Sequence, residues 1–135
     1  MANTITNTAP IITGIGSVVQ YVCIDSDGTE ETNLVIYDSS AIATLLGKAD
    51  PLNCRINSIT YSTNSAAGVV HLNFAATTPV LAWALPYQGS GHFCFERHGG
   101  LKNRAGSGIT GDITLTTTGL ASGDKVTLII DVRPS

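Results

Sequence analysis

The stretch DITLTTTGLASGDKVTLIIDV, residues 112–132, decides the fold class of this chain. In its first part, Ile113 and Leu115 alternate with threonines. In its second part, valine, leucine or isoleucine occupies every second position from residue 126 to residue 132. Alternation with period two is typical of strands that turn one face towards a core. Ser122-Gly123-Asp124 between the two parts is a turn signal. The stretch therefore predicts two short strands separated by a turn.

Six further strands are predicted from the same alternation or from β-branched and aromatic residues, in segments 17–24, 33–37, 55–62, 69–75, 79–85 and 91–96. In segment 79–85, Leu81, Trp83 and Leu85 are expected on one face, and Ala82 and Ala84 on the other. One short helix is expected near residues 40–46, capped by Ser39 or Ser40 and ended by Gly47. These elements predict an all-β fold, a single-domain antiparallel β-sandwich (jelly-roll-like) of about eight strands.

Composition limits the function classes. The chain has 135 residues, 43% of them hydrophobic and 13% charged, with a formal net charge of -3. This size predicts one domain, residues 15–135, preceded by an extended N-terminal arm, residues 1–14, in which no period holds. The chain has no basic excess and no apolar run of the ~18 residues that span a membrane, so neither nucleic acid nor membrane is an expected partner.

The cysteines and the N-terminus predict where the chain is made. The three cysteines are an odd number, which favours free, buried thiols over a disulfide framework. The polar, uncharged start has no signal-peptide pattern. Synthesis in a reducing cytoplasm is therefore expected.

Two motifs suggest ligand chemistry but are more simply explained as loops. Residues 106–111 match G-x-G-x-x-G, yet a strand follows them where a dinucleotide site needs a helix. Asp25, Asp27, Glu30 and Glu31 cluster around Gly28, which indicates an acidic hairpin turn or, alternatively, a calcium site.

Other residues are candidates for zinc, nucleophilic or glycan sites. His92 and Cys94 share a strand face and would need His71 or His98 to form a zinc site. Cys94 lacks an evident base and oxyanion donor, so no enzyme activity, cofactor or small-molecule substrate is expected. Trp83 is expected in the core, which leaves Tyr87, and Tyr21 after it, as exposed aromatics for a glycan.

Two features indicate contacts with other proteins. Residues 97–104 form the one basic stretch, which is either a solvated loop or an interface loop that meets an acidic protein surface. The threonine-rich face of residues 114–118 and the alanine face of segment 79–85 are flat enough to pack against another subunit.

Several segments resemble small virion structural proteins of tailed bacteriophages. The similarity runs over about residues 18–133 and is carried by 37–40 (YDSS), 50–54 (DPLNC), 59–62 (ITYS), 93–95 (FCF), 99–106 (GGLKNRAG) and 110–120 (TGDITLTTTGL). The resemblance implies a capsid decoration (cement) protein, made in the host cytoplasm and located on the capsid exterior. It implies the major capsid protein and further copies of the chain, as a homotrimer, as partners.

Capsid or subunit contacts are expected from the arm and the basic stretch, at Asn3, Thr4, Ile5, Thr6, Ile11, Ile12, Arg97, His98, Lys102 and Arg104. Two alternatives remain: a glycan- or receptor-binding β-sandwich module, and another virion part such as a head fibre base or a tail component.

Overall fold

The structure, a computed structural model, describes residues 4–7, 11–12, 17–28, 30, 32, 34–47, 54–64, 68–85, 88–95, 100–102 and 111–134. Within these residues one helix, α1 (Ser39–Leu46), accompanies eleven strands: β1 (Thr4–Asn7), β2 (Ile11–Ile12), β3 (Val18–Asp27), β4 (Leu34–Tyr37), β5 (Cys54–Asn64), β6 (Val69–Phe74), β7 (Val80–Leu85), β8 (Gln88–Cys94), β9 (Leu101–Lys102), β10 (Ile113–Thr118) and β11 (Ser122–Pro134).

The strands form two antiparallel sheets that enclose one core. Sheet A has the order β1-β3-β11-β5-β8, with β2 also pairing with β3 and β9 with β5. Sheet B has the order β4-β10-β6-β7. The predicted all-β sandwich with one short helix is therefore confirmed.

The connectivity is that of a jelly roll. Four antiparallel pairs are nested along the chain: β3 with β11, β4 with β10, β5 with β8, and β6 with β7. Successive pairs alternate between sheet A and sheet B, as when a long double strand is rolled up into two sheets. The strands of these pairs are the eight predicted from sequence, and β1, β2 and β9 are short additions to sheet A.

Alternating side chains from both sheets fill the core. Residues that are buried to 2% exposure or less include Val18, Val22, Ile24, Ile56, Ile59, Leu128, Ile130 and Val132 from sheet A, and Ile36, Val70, Leu72, Phe74, Leu85, Ile113 and Leu115 from sheet B. An aromatic cluster is formed by Trp83 of β7, Phe93 of β8, Phe95 just after β8, and Tyr61 of β5. In it the Trp83 ring centroid lies 5.2 Å from that of Phe93 and 5.0 Å from that of Phe95. Trp83 faces inwards but is only half-buried, so it packs against the core and does not lie within it as expected.

One predicted face is wrong. The ladder between β6 and β7 shifts register between Leu72 and Asn73, so Leu72 pairs with Trp83 while Asn73 pairs with Leu81. This irregularity leaves Ala82 unpaired and turns Leu81 away from the core, where it is 54% exposed. Leu81 therefore lies on the outside together with Ala84, and not beside Trp83.

Neither predicted N-cap is correct, because the helix begins at Ser39 and its cap is the residue before it. Asp38 is the N-cap, and its carboxylate accepts hydrogen bonds from the backbone N–H of Ser40 and Ala41. Ser40 Oγ also donates to Asp38 Oδ1 at 2.7 Å, and this bond and the backbone bonds lower the pKa of Asp38. The predicted stop is confirmed, because Gly47 adopts the left-handed φ of 69° that favours glycine.

The expected acidic hairpin is wrong, because β3 belongs to sheet A and β4 to sheet B, and the two strands do not pair. Asp25 and Asp27 belong to β3, which runs as far as Asp27, and the chain turns at Gly28 with φ of 98°. In the described part of the arm, β1 and β2 pair with β3 as extended strands.

Candidate interaction surface

Sheet B presents an outer face without charged residues. None of its four strands contains Asp, Glu, Lys or Arg. The register places three rows across this face: Val35-Thr114-Asn73-Leu81, then Thr116-His71-Ala84, then Thr118-Val69. These nine residues are called the sheet B face below. The threonine face and Ala84 therefore lie side by side, whereas Ala82, the other residue of the expected alanine face, is half-buried and packs against the core.

The first of these rows ends in two exposed apolar side chains. Val35, on edge strand β4, is 43% exposed, and Leu81, on the opposite edge strand β7, is 54% exposed. Between them, Thr114 is buried, and its hydroxyl has no hydrogen-bond partner among the described residues. An uncharged face with apolar ends is typical of surfaces that contact other proteins.

The outer face of sheet A is different in character. Asp25 and Lys125 lie opposite each other on β3 and β11, and Asp131 lies on the same face. Thr60 Oγ1 and His92 Nδ1 are 2.7 Å apart on β5 and β8. Ile129 on this face is 38% exposed, but the charges and exposed hydrogen-bonding groups around it suit contact with water.

The predicted contact residues of the arm lie along the β3 edge of sheet A. Thr4 and Thr6 pair with Asp25 and Cys23, and Ile11 and Ile12 pair with Val19 and Val18. Ile5 is half-buried and packs against the core. Asn3 lies outside the described residues.

Of the predicted basic contacts, the structure describes Lys102, which is exposed in β9 and pairs with Arg55. Arg97, His98 and Arg104 lie outside the described residues. Beside Lys102, a groove of about 400 Å³ opens between β7 and β9, lined by Phe74, Val80, Leu81, Ala82, Gly100, Leu101 and Lys102.

The predicted metal alternatives are not assembled in the described part of the chain. His92 and Cys94 point outwards from sheet A, whereas His71 points outwards from sheet B, so these three cannot meet. No group of three or more His, Cys, Asp or Glu that could hold a metal occurs among the described residues. The Glu30 carboxylate accepts a hydrogen bond from the backbone N–H of Gly119 at 3.1 Å, while Glu31 and His98 lie outside these residues.

Two buried titratable groups, Tyr37 and Cys54, lie beside half-buried Asp112 near the start of α1. Burial, together with a smaller contribution from the nearby Asp112 carboxylate, raises the pKa of the Cys54 thiol to about 12. Burial also raises the pKa of Tyr37, with contributions from Cys54 and Asp112. Asp112 Oδ1 accepts from the Ser39 N–H at 2.7 Å, and Cys54 Sγ donates to the Gly111 carbonyl at 3.3 Å. Since Cys54 stays protonated at neutral pH, this cluster joins the helix to the sandwich and does not form a reactive thiol.

The remaining sequence candidates take no part in a described site. Residues 106–110 of the glycine-rich motif and Tyr87 lie outside the described residues, while Gly111 leads into β10. Tyr21 is half-buried on the outer face of sheet A. Among the described residues, no helix is long and apolar enough to cross a membrane.

Comparison of the chain with protein-family models, with curated proteins and with solved structures finds no match in any of the three. The sheet B face was only partly foreseen, because its two apolar ends, Val35 and Leu81, were not recognised. The absence of charge from segments 34–37, 69–74, 80–85 and 113–118 is the sequence signal that could have indicated them.

Proposed function

We propose that this chain is a structural virion protein that decorates the outer surface of a tailed-phage head and stabilises the expanded capsid lattice. The observation that carries the proposal is the sheet B face, which is uncharged and ends in exposed Val35 and Leu81. Such a surface supports a function in protein–protein assembly. The jelly roll adds support, since viral capsid domains use it, although lectins use it too.

A decoration protein acts by differential affinity. It binds the expanded lattice more tightly than the unexpanded one. At a free concentration of 100 times Kd, binding stabilises the expanded lattice by about 2.7 kcal/mol per site. The major capsid protein and further copies of this chain are the partners, and the role requires no cofactor. The resemblance implies three copies per assembly, on the capsid exterior.

Two regions are proposed to meet the capsid. The N-terminal edge, β1 and β2, is the outermost part of sheet A beside β3, where an extended capsid segment could pair with it as an added strand. The basic stretch around Lys102 would orient the protein on an acidic capsid surface.

The test adds the purified protein to expanded capsids that lack it. Saturable occupancy and a higher temperature of capsid disruption are expected, and the paired charge reversal Lys102→Glu with Arg104→Glu should weaken binding about tenfold. Lys125→Glu is the matched control, because Lys125 is also an exposed lysine but lies at the far end of β11, opposite Asp25. Absence of binding to any capsid, together with saturable binding to a glycan array, would replace the proposal with the glycan-binding alternative.

A further inference from the structure

We infer that the sheet B face binds the same face of a second copy of this chain, around a two-fold axis that runs parallel to the strands between β10 and β6. The inference rests on the proposed function for the role of this face and names its occupant, but it differs in the number of copies, since a two-fold contact joins two chains where the resemblance implies three. It nevertheless makes a separate prediction about the protein in solution.

The charge pattern selects the occupant. A charged partner surface would lose hydration against the sheet B face without finding an opposite charge there. A complementary partner must therefore also be uncharged, with small polar groups between apolar ends. Within the described residues, the sheet B face itself has this composition.

The order of residues along the first row sets the direction of the axis. A two-fold axis parallel to the strands reverses the row Val35-Thr114-Asn73-Leu81, so Val35 of one copy faces Leu81 of the other at both ends. Val35 of the first copy then contacts Leu81 of the second, and Leu81 of the first contacts Val35 of the second. This reciprocal contact is typical of an isologous interface. The exposed apolar side chains are both covered.

The middle of the row is compatible with the same axis. Reversal places Thr114 of one copy opposite Asn73 of the other. Because Thr114 is already buried in its own chain, the contact depends mainly on Val35 and Leu81. An axis perpendicular to the strands would instead set each residue of the row against its own copy.

The edges of sheet B are less suited to a second copy than its face. Edge strand β4 has only 4 residues, and edge strand β7 carries the register shift next to Ala82. Short strands and bulges are devices that prevent edge-to-edge pairing.

The area predicts a weak, concentration-dependent pair. Four strands spaced about 4.8 Å apart with a rise of about 3.4 Å per residue give a face of roughly 14 by 20 Å between outer strand axes. By this outline two such faces cover roughly 560 Å² in total, which lies below the ~1,000 Å² expected of a specific interface. We therefore expect a weak pair, with a dissociation constant in the high micromolar to millimolar range.

The test measures mass by light scattering over a range of protein concentrations. The natural chain should pass from one to two chains as concentration rises. Val35→Glu and Leu81→Lys should each weaken association at least tenfold, because each buries an unpaired charge against an apolar side chain. The double variant Val35→Glu with Leu81→Lys should recover the pair, since each new carboxylate then faces an ammonium group.

Leu45→Glu is the matched control, because Leu45 is 59% exposed on α1 and lies outside the sheet B face. Circular dichroism of each variant checks that it is folded. A mass of one chain at every concentration overturns the inference, as does a mass of three chains. A double variant that stays monomeric overturns the strand-parallel axis. Capsid occupancy is scored separately, so loss of the virion role and loss of the self-contact give different results.

Discussion

At the scale of single residues, the three cysteines show how burial sets the chemistry of a thiol. All three are free, as expected from their odd number, but they are not all buried. Cys94 is exposed on the outer face of sheet A, Cys23 is half-buried, and Cys54 is buried beside Tyr37 and Asp112. The alternation along a strand indicates on which face of the sheet a residue lies. Whether that face is buried depends on the other elements of the fold.

Because of the buried Cys54 thiol, we expect the free energy of unfolding to fall at alkaline pH. Its pKa rises from 9.0 to about 12 on folding, so above pH 9 the unfolded chain releases a proton that the folded chain retains. The stabilising contribution is present below pH 9 and is lost as pH rises towards 12. Its full size is on the order of 4 kcal/mol, from three pKa units of about 1.4 kcal/mol each. Urea unfolding gives the free energy of unfolding at pH 8 and at pH 11. The decrease between these two pH values should be smaller for Cys54→Ala than for the natural chain.

Cys94→Ala is the matched control for this experiment, because Cys94 is exposed on the opposite side of sheet A from the core. Its pH dependence should follow that of the natural chain. Equal slopes for Cys54→Ala and the natural chain would assign the alkaline loss to other groups, with buried Tyr37 first among them.

At the scale of elements, β7 shows how one unpaired residue redirects a strand. Its sequence VLAWAL predicts Leu81 and Trp83 on the same face, and the register shift at Ala82 separates them. Trp83 joins the aromatic cluster inside the sandwich, while Leu81 joins the sheet B face. The strand thereby completes the core and one end of the candidate interaction surface.

The two side chains are expected to differ in their effect on stability. Trp83→Ala should reduce the free energy of unfolding by about 3 kcal/mol, because it removes a large ring in contact with Phe93 and Phe95. Leu81→Ala should change it by about 0.5 kcal/mol or less. Urea unfolding at low protein concentration, where self-association does not contribute, gives both values. Comparable losses would show that both side chains lie in the core and that β7 alternates regularly.

At the scale of the whole molecule, the nested strand pairs account for the order of the strands within each sheet. The first principal strand, β3, pairs with the last, β11, over most of their length. Contacts between the N-terminal and C-terminal strands therefore close the fold. Strands β1 and β2 extend sheet A beyond β3 and lie outside the nested pairs. The division into an arm of residues 1–14 and a domain of residues 15–135 therefore stays a prediction that truncation can test.

Deletion of residues 2–12 should leave a folded jelly roll of lower stability. The deletion removes β1, β2 and the half-buried Ile5, and we expect a loss of roughly 1–3 kcal/mol from the apolar surface no longer buried. Circular dichroism and urea unfolding provide the measurement. Deletion of residues 125–135, which contain most of β11 and its pairing with β3 and β5, should prevent folding. An unfolded 2–12 deletion would show that the arm belongs to the domain.

The alternation in residues 112–132 and its six companion segments was enough to predict the class of fold, the eight principal strands and the helix. This succeeds because period two is a local property of a strand with one buried face. The pattern does not predict which strands are neighbours, because strand order depends on pairing between residues far apart in the chain.

The sequence by itself determined the all-β class, the strand segments and the lack of charge in four of them. Only the tertiary structure decided that those four segments form one sheet, that Leu81 turns outwards beside Ala84, and that Val35 lies at the other end of the same row. The physical reason is that a surface is made by strands brought together from distant parts of the chain. Its composition can be counted in the sequence, but its continuity arises only from the pairing of β4, β10, β6 and β7.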